Sequence, residues 1–204
     1  MTGLLDEHRR NRKLTTLVEN RTTYQADYAE LNIYETHAIA EKVELNFSFP
    51  IIASMLTGKK VMHLDGMPSF DFLPGESVVM PANQRMVIDF PIATRNAPTQ
   101  CLALGIDSDK ITEVVHHFNQ ATQIDGDQTQ WQLDELATHL THHNEVNQLL
   151  QRLVHTFTVN CQSKDILLDL MIQELIVRLL QTKARHCLIY DNSGIFSDTR
   201  IGMV

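Results

Sequence analysis

The residues best suited to bind a metal are four histidines, and their spacing favours no such site. His139, His142 and His143 have the i, i+3 and i, i+4 spacing that a metal can use, but no carboxylate or cysteine is fixed beside them. We therefore interpret them as surface residues. His63 has no second histidine near it, and a lone histidine is not a metal site.

The cysteines are equally dispersed. Cys101, Cys161 and Cys187 form no Cys-x-x-Cys pair and no Cys/His cluster with ligand spacing. This arrangement argues against a zinc knot and against a disulfide framework. Buried thiols are the simpler expectation.

Composition and charge narrow the class of protein. The 204 residues, 43% of them hydrophobic, suffice for one or two domains with a real core. A net charge of −8 repels a phosphate backbone, so this chain is not expected to bind DNA itself, and the short basic cluster at 9–13 is interpreted as a solvated arm. No apolar run approaches the roughly 20 residues that span a bilayer. The charged start argues against a signal peptide, so we expect no membrane contact and a cytoplasmic location.

The pattern changes from strand to helix near residue 108. Val43, Leu45, Phe47 and Phe49 alternate with polar residues, as in a strand with one buried face, and 31–36 and 51–56 are further strands. Tyr24 to Tyr34 is either an arm over a pocket or the first strand. Turn signals recur at 57–60, 64–68, 73–76 and 80–83, which predicts an antiparallel sandwich or barrel.

Three helices are expected after Asp107. The first, capped by Ser108 or Asp109, runs through Phe118, and the second has an apolar stripe from Val146 to Phe157. The third follows Ser163 and runs from 164 to about 184. It is apolar on more than one face, so it either lies between the sheet and a neighbouring helix or meets a second subunit. We favour a homodimer, with these candidate interface residues: Leu168, Ile172, Leu175 and Leu179.

Residues 73–84, LPGESVVMPANQ, resemble a cupin half-motif, in which a Pro-Gly turn leads into a strand that ends at a second turn. Catalytic cupins add a His-x-His pair, a glutamate and a later histidine around a metal. The corresponding positions here hold Gly66, Pro68 and Ser69 on one side and 85–87, Arg-Met-Val, on the other. We predict no catalytic residues, no metal and no cofactor, although a cavity would remain.

A longer resemblance covers essentially the whole chain. The segments MLTGKKVMHL at 55–64, SFDFLPGESVVMP at 69–81 and APTQCLALGIDSDKITEVV at 97–115 are similar, in order and spacing, to the N-terminal domain of AraC-type transcription regulators. The resemblance implies a cupin-like domain that binds an effector and dimerises, followed by two helix-turn-helix units that bind DNA. Residues 198–204 resemble the start of that second domain, which implies that the DNA-binding domain is absent.

The predicted fold class is α+β, with an N-terminal antiparallel cupin-like β-barrel or jelly roll followed by a C-terminal helical region. We assign residues 1–28 to an N-terminal arm, 29–108 to the barrel, 109–190 to a helical dimerisation region, and 191–204 to a linker and stub. DNA would be contacted only through the missing domain.

A barrel of this size can hold one small ligand. The predicted ligand-binding positions are Tyr34, His37, Phe47, Met55, His63, Phe72 and Met80. Phe70 is an alternative to Phe72, and Ile88 is a further lining candidate. Each position also has a structural interpretation, and an aromatic or methionine side chain on a strand is more often core than ligand contact. The polar candidates that could orient a carboxylate or a hydroxyl are Tyr34, His37, His63 and Lys60. Lys59 and Lys60 also lie at a turn, where exposure is ordinary.

Three functions remain open. The first is a transcription regulator controlled by a small-molecule effector. The second is a sensor of another protein, which a filled barrel would favour. The third is a small cupin enzyme, against which the missing metal ligands weigh.

Overall fold

A computed structural model describes residues 5–122, 138–140, 143–159 and 162–182, and this part of the chain contains ten strands and four helices. The predicted linker and stub at 191–204, His142, Cys161 and Cys187 lie outside the described residues. The elements in chain order are α1 Asp6–Asn11, β1 Asn20–Ala26, β2 Ala29–Thr36, β3 Ala40–Leu45, β4 Ile51–Thr57, β5 Lys60–Leu64, β6 Phe70–Phe72, β7 Ser77–Met80, β8 Met86–Phe90, β9 Thr99–Ile106, α2 Ser108–Thr122, β10 Thr138–Leu140, α3 Asn144–Thr158 and α4 Lys164–Leu180.

The strands form two sheets that face each other, and helices follow them, so the predicted α+β class is confirmed. The larger sheet has six strands in the order β1-β2-β9-β4-β7-β10, and the smaller has four in the order β3-β8-β5-β6. Every pairing is antiparallel. The two sheets do not close into a barrel; they form a cupin-like sandwich.

All four predicted turns are present, and each contains a residue in the left-handed region. The φ angles are 80° at Gly58, 81° at Gly66, 89° at Gly75 and 62° at Asn83. Glycine and asparagine are the residues that adopt this conformation at least cost. At Gly58 a Cβ atom would also stand 2.5 Å from the Thr99 hydroxyl oxygen, so this position excludes a side chain.

Two strand boundaries differ from the sequence prediction. The strand expected to reach Phe49 ends at Leu45, because the Phe47 carbonyl accepts a hydrogen bond from the turn residue Asn83 (2.7 Å). The segment that includes Tyr24 is the first strand, and β1 begins at Asn20, inside the predicted arm. It pairs along its full length with β2, so the larger sheet starts earlier than residue 29.

The helices follow the predicted pattern with small changes at their ends. The side chain of Asp107 accepts hydrogen bonds from the backbone N–H groups of Asp109 (2.8 Å) and Lys110 (3.4 Å), so it caps α2, one residue before the predicted cap. Ser163 precedes α4 but makes no side-chain capping hydrogen bond. None of the described helices is long and apolar enough to cross a membrane.

The six-stranded sheet has a hydrophobic core on each face. On its outer face, Leu31, Ile33 and Leu104 pack with apolar residues of α2, α3 and α4. On its inner face, Ile51 and Cys101 pack with residues of the smaller sheet. The central strands β2 and β9 are buried at every position, because both of their faces are covered.

The four predicted dimer residues of α4, Leu168, Ile172, Leu175 and Leu179, are all buried in the outer-face core of their own chain. This helix packs against α2 and α3, which explains its apolar character on several sides. The apolar side chains that α4 leaves exposed are Ile166, Leu167 and Leu170. A homodimer stays a prediction, but a partner that meets this conformation would contact these three residues.

Candidate functional site

The space between the two sheets is the candidate ligand site, and it is nearly filled. The free volume is about 20 Å³, room for about one water molecule. Its lining residues are Glu19, Tyr34, Leu45, Phe47, Ile51, Ala53, Lys60, Met62, Phe72, Met80, Met86, Ile88, Cys101, Leu102 and Ala103. The lining is therefore apolar except at the end where Glu19, Tyr34, Lys60 and Cys101 meet.

Lys60 is the central polar group of this interior. Its side chain is buried, which contradicts the expectation that a turn would expose it. Its ammonium nitrogen donates to Oε1 of Glu19 at 3.0 Å, lies 2.9 Å from the Cys101 sulfur and sits 4.9 Å from the centre of the Phe90 ring. Lys60 is the first residue of β5, and its side chain points inward together with those of Met62 and Leu64.

Burial and the neighbouring charges fix the protonation states here. Burial raises the pKa of the Cys101 thiol, so the thiol stays protonated. Burial would lower the pKa of Lys60, yet the groups beside it raise that pKa above its ordinary value, and Glu19 is the neighbour that supplies a negative charge. Burial likewise raises the pKa of the Tyr34 phenol. The interior thus holds the Lys60 ammonium and two neutral polar groups, Tyr34 and Cys101, beside Glu19.

Glu19 is the charged lining residue that the sequence analysis did not indicate. It precedes β1 and has a φ of 48°, a left-handed conformation that is uncommon for glutamate. Its backbone N–H donates to the Thr36 hydroxyl oxygen at 3.0 Å, and its Oε1 accepts from that hydroxyl at 3.3 Å. Its Oε2 is buried and has no hydrogen-bond partner. Had Lys60 been predicted to be buried in β5, a counterion for its charge could have been expected, because a buried ammonium is normally paired.

The structure brings together several of the predicted ligand residues. Tyr34, Phe47, Phe72 and Met80 line the free volume, as does Ile88. Met55 is buried in the same core but does not line that volume. His37 is buried just after β2, where its backbone N–H donates to the Leu17 carbonyl oxygen at 2.7 Å, and it does not reach the cavity.

His63 points away from the interior, so its predicted role as a lining residue is wrong for this conformation. Met62 and Leu64 point from β5 into the interior. His63 lies between them in sequence and therefore points to the opposite side of the smaller sheet, away from the interior. Its Nδ1 lies 2.7 Å from the Ser69 hydroxyl oxygen, and its Nε2 lies 2.9 Å from Asp89 Oδ2. These contacts tie β5 to β8 and to the segment before β6.

Of the three clustered histidines, the structure describes His139 and His143. The ring of His139, on β10, stacks on Phe70 with 4.2 Å between centres, and its Nε2 lies 3.1 Å from Glu76 Oε2. His143 directly precedes α3. Among the described residues, no group of three or more His, Cys, Asp or Glu side chains could hold a metal ion.

A second buried charge cluster lies on the opposite face of the larger sheet. Glu35 accepts from Gln100 Nε2 at 2.5 Å, forms an ion pair with Arg12 (2.5 Å) and lies 3.4 Å from His8 Nε2. The other ring nitrogen of His8 lies 3.0 Å from the Tyr24 hydroxyl. Burial raises the pKa of Glu35, but the hydrogen bonds and the charge of Arg12 outweigh it, and the pKa falls below its ordinary value. This cluster attaches α1 to the sheet.

Solved structures of a known protein have a fold similar to that of this chain. The solved structures of ToxT from Vibrio cholerae are similar in fold: one aligns with a TM-score of 0.60 at 12% identity, covering 83% of this chain and 62% of ToxT. Another aligns at 0.56 and 11% identity, covering 81% and 61%. A complex of ToxT with an unsaturated fatty acid aligns at 0.55 and 13% identity, covering 81% and 59%. The chain thus spans about three-fifths of ToxT.

The family itself follows from the sequence. Residues 27–187 match the family model of the AraC-type transcriptional regulator N-terminus, most of the chain. The chain belongs to this family and contains its N-terminal regulatory domain. A search of curated proteins finds no match.

Proposed function

We propose that this domain senses a carboxylic acid with an apolar body, which binds between the two sheets and controls DNA binding by a helix-turn-helix domain of the complete regulator. The observation that carries the proposal is the buried ammonium of Lys60 at one end of an otherwise apolar interior. Such a site offers a charged partner for a carboxylate and apolar contacts for the rest of the ligand. Family membership supports a regulatory rather than an enzymatic role.

The ligands of the structural relative have this chemistry. ToxT has been solved with an unsaturated fatty acid and with (E)-4-(8-methylnaphthalen-1-yl)but-3-enoic acid. Both molecules combine one carboxyl group with a large apolar body. The similarity in fold makes the corresponding interior a reasonable site in this chain, and Lys60 is the residue that we assign to the carboxylate.

Binding requires the interior to repack. Ligand pockets commonly measure about 300–1,000 Å³, far more than the free volume of about 20 Å³. Met62, Met80 and Met86 line this volume. Methionine is unbranched and has three rotatable bonds, so it adapts to a ligand more easily than a branched side chain does. The lining can therefore open without loss of the sheets that carry it.

The test compares an acid with its uncharged analogue. Isothermal titration of the purified chain with 4-(1-naphthyl)butanoate and with the corresponding amide should give at least about tenfold tighter binding of the acid, the range of a charge-assisted hydrogen bond. The control is the double variant Lys60→Met/Glu19→Gln, which removes both charges together, so that neither charge stays buried without its counterion. It should bind acid and amide equally. Equal binding by the natural chain would contradict the proposal.

We also propose that the domain forms a homodimer through the exposed apolar face of α4, formed by Ile166, Leu167 and Leu170. A two-fold dimer is the commonest oligomer, and exposed apolar clusters often mark interfaces. Sedimentation velocity should find a dimer for the natural chain and a monomer for Ile166→Asn/Leu170→Asn. The control is Leu73→Asn, which changes an exposed leucine elsewhere and should remain dimeric. A monomeric natural chain would contradict this part of the proposal.

The filled interior favours one alternative, a domain that senses another protein. A groove between α2 and α4, lined by Val114, Phe118 and Val177 among others, has a volume of about 520 Å³ and offers such a surface. If no carboxylic acid binds while the chain remains folded, this alternative becomes the better account.

A further inference from the structure

Among the described lining residues, Lys60 is the only cation available to a carboxylate ligand, and Glu19 already forms an ion pair with it. Its Oε1 accepts a hydrogen bond from the Lys60 ammonium at 3.0 Å, and both residues line the small free volume. The described residues that line this volume include no other carboxylate. An acid that enters the interior therefore competes directly with Glu19.

The fit of Glu19 is poor for a permanent counterion. Only one of its carboxylate oxygens, Oε1, is hydrogen-bonded to protein groups, and Oε2 adds no protein hydrogen bond to its attachment. Its φ of 48° is a strained conformation for a residue with a side chain. This strain disappears when Glu19 leaves the interior, so its replacement by another carboxylate is less costly than the loss of an ion pair held on both oxygens.

The segment that carries Glu19 is attached by few contacts. Asn20 Oδ1 accepts from the backbone N–H groups of Thr15 (2.8 Å) and Thr16 (3.3 Å), and the Leu17 carbonyl accepts from the His37 N–H. The side chains of Leu14 and Leu17 are about half exposed, so they contribute little burial. Val18 is the one apolar side chain of residues 13–19 that packs against the inner-face core, so outward movement of this segment removes a single partly buried side chain from that core.

We propose that Glu19 is an internal carboxylate that holds the place of the effector: an incoming monocarboxylate displaces it from Lys60, and residues 13–19 move outward with it. This inference rests on the proposed function. It makes Glu19 a specificity-determining residue, because a neutral molecule cannot replace its charge beside Lys60. The position of residues 13–19 would then depend on whether a ligand is bound in the interior.

The first experiment measures affinity. In Glu19→Gln no internal carboxylate competes, so 4-(1-naphthyl)butanoate should bind at least about tenfold tighter than to the natural chain, since apparent affinity falls with the fraction of binding-competent molecules. Affinity for the amide should change by less than about threefold. Glu44→Gln, which removes an exposed carboxylate paired with Arg85, is the matched control and should leave both affinities unchanged.

The outcomes separate the two proposals. If the natural chain prefers the acid but Glu19→Gln binds it no tighter, the exchange is wrong and the proposed function stands. If neither protein binds the acid, both proposals fail. If only Glu19→Gln binds it, the acid does not displace Glu19 from Lys60 in the natural chain, and both proposals fail for that chain.

A second measurement needs no substitution. Hydrogen exchange of the natural chain should become faster at Thr15, Thr16 and Glu19 when the acid is added, because their N–H groups lose the partners described above. The amide should leave exchange at these three positions unchanged. Unchanged or slower exchange with saturating acid would overturn the proposal, whatever the stability of the variant.

Discussion

The two faces of the six-stranded sheet have different cores. The outer face and its helices are packed almost entirely with leucine, isoleucine and valine, and Met171 is the one methionine in this core. The inner face and the smaller sheet enclose Met55, Met62, Met80 and Met86 together with aromatic rings. Branched side chains have few rotamers, whereas methionine has many. The outer face is therefore suited to fixing the fold and the inner face to adapting to a ligand.

The buried carboxylates differ in the same way. On the outer face, Glu35 contacts Gln100, Arg12 and His8 and has a lowered pKa. On the inner face, Glu19 is hydrogen-bonded to protein groups through Oε1 alone. A carboxylate held on both oxygens is costlier to release than one held on a single oxygen. On one face of the sheet the Glu35 cluster holds α1 in place, and on the other face the Glu19–Lys60 pair is suited to exchange with a ligand.

The sharpest test of this comparison is a cavity on the outer face. Leu175→Ala removes a fully buried side chain of α4 and should lower the free energy of unfolding by about 2–5 kcal/mol, because the branched neighbours cannot fill the space. Urea unfolding followed by circular dichroism measures the change. A loss below about 1 kcal/mol would mean that this core adapts as well, and the comparison would fail.

The attachment of α1 should weaken in acid. Because the pKa of Glu35 in the folded chain lies below its ordinary value of 4.5, the cluster stabilises the fold above that pH and loses its effect as the pH falls through the folded pKa. Hydrogen exchange at Arg9 and Arg12, corrected for intrinsic rates, should accelerate by up to about tenfold per pH unit in that range, the limit for uptake of one proton. In Glu35→Gln the exchange should be faster at neutral pH and show little further change. If hydrogen exchange at Arg9 and Arg12 of the natural chain does not accelerate at low pH, the proposed role of Glu35 is contradicted.

The smallest effect is expected on the inner face. Met80→Leu keeps the volume of a lining residue and should change the free energy of unfolding by less than about 1.5 kcal/mol, while it weakens acid binding because the branched side chain adapts less easily. Leu175→Met is the reciprocal control on the outer face and should leave acid binding unchanged. Equal effects of the two substitutions on binding would remove the distinction between the two cores.

The sequence predicted the features that depend on local preferences. The turns around Gly58, Gly66, Gly75 and Asn83 were predictable because few residues adopt positive φ, and the stripes of α3 follow from helical periodicity. The class of fold followed from the succession of these elements.

Features that depend on distant contacts were harder to predict. In β5, Lys60 was placed at an exposed turn and His63 was predicted to point inward, whereas the inward residues are Lys60, Met62 and Leu64. The partner that makes a buried Lys60 acceptable, Glu19, lies 41 residues away. The pattern of α4 correctly indicated burial on several sides, but it could not distinguish its own sheet from a second subunit.

The sixth strand gives the chain an order of assembly during synthesis. Nine strands are complete at Ile106, but the edge strand β7 receives β10 only from Thr138–Leu140, after α2. At about 5–20 residues per second, a ribosome needs roughly 2–7 s to produce that intervening stretch. A sheet formed from the first nine strands alone would have β7 as an unpaired edge, and the three residues of β10 cover that edge in the folded chain.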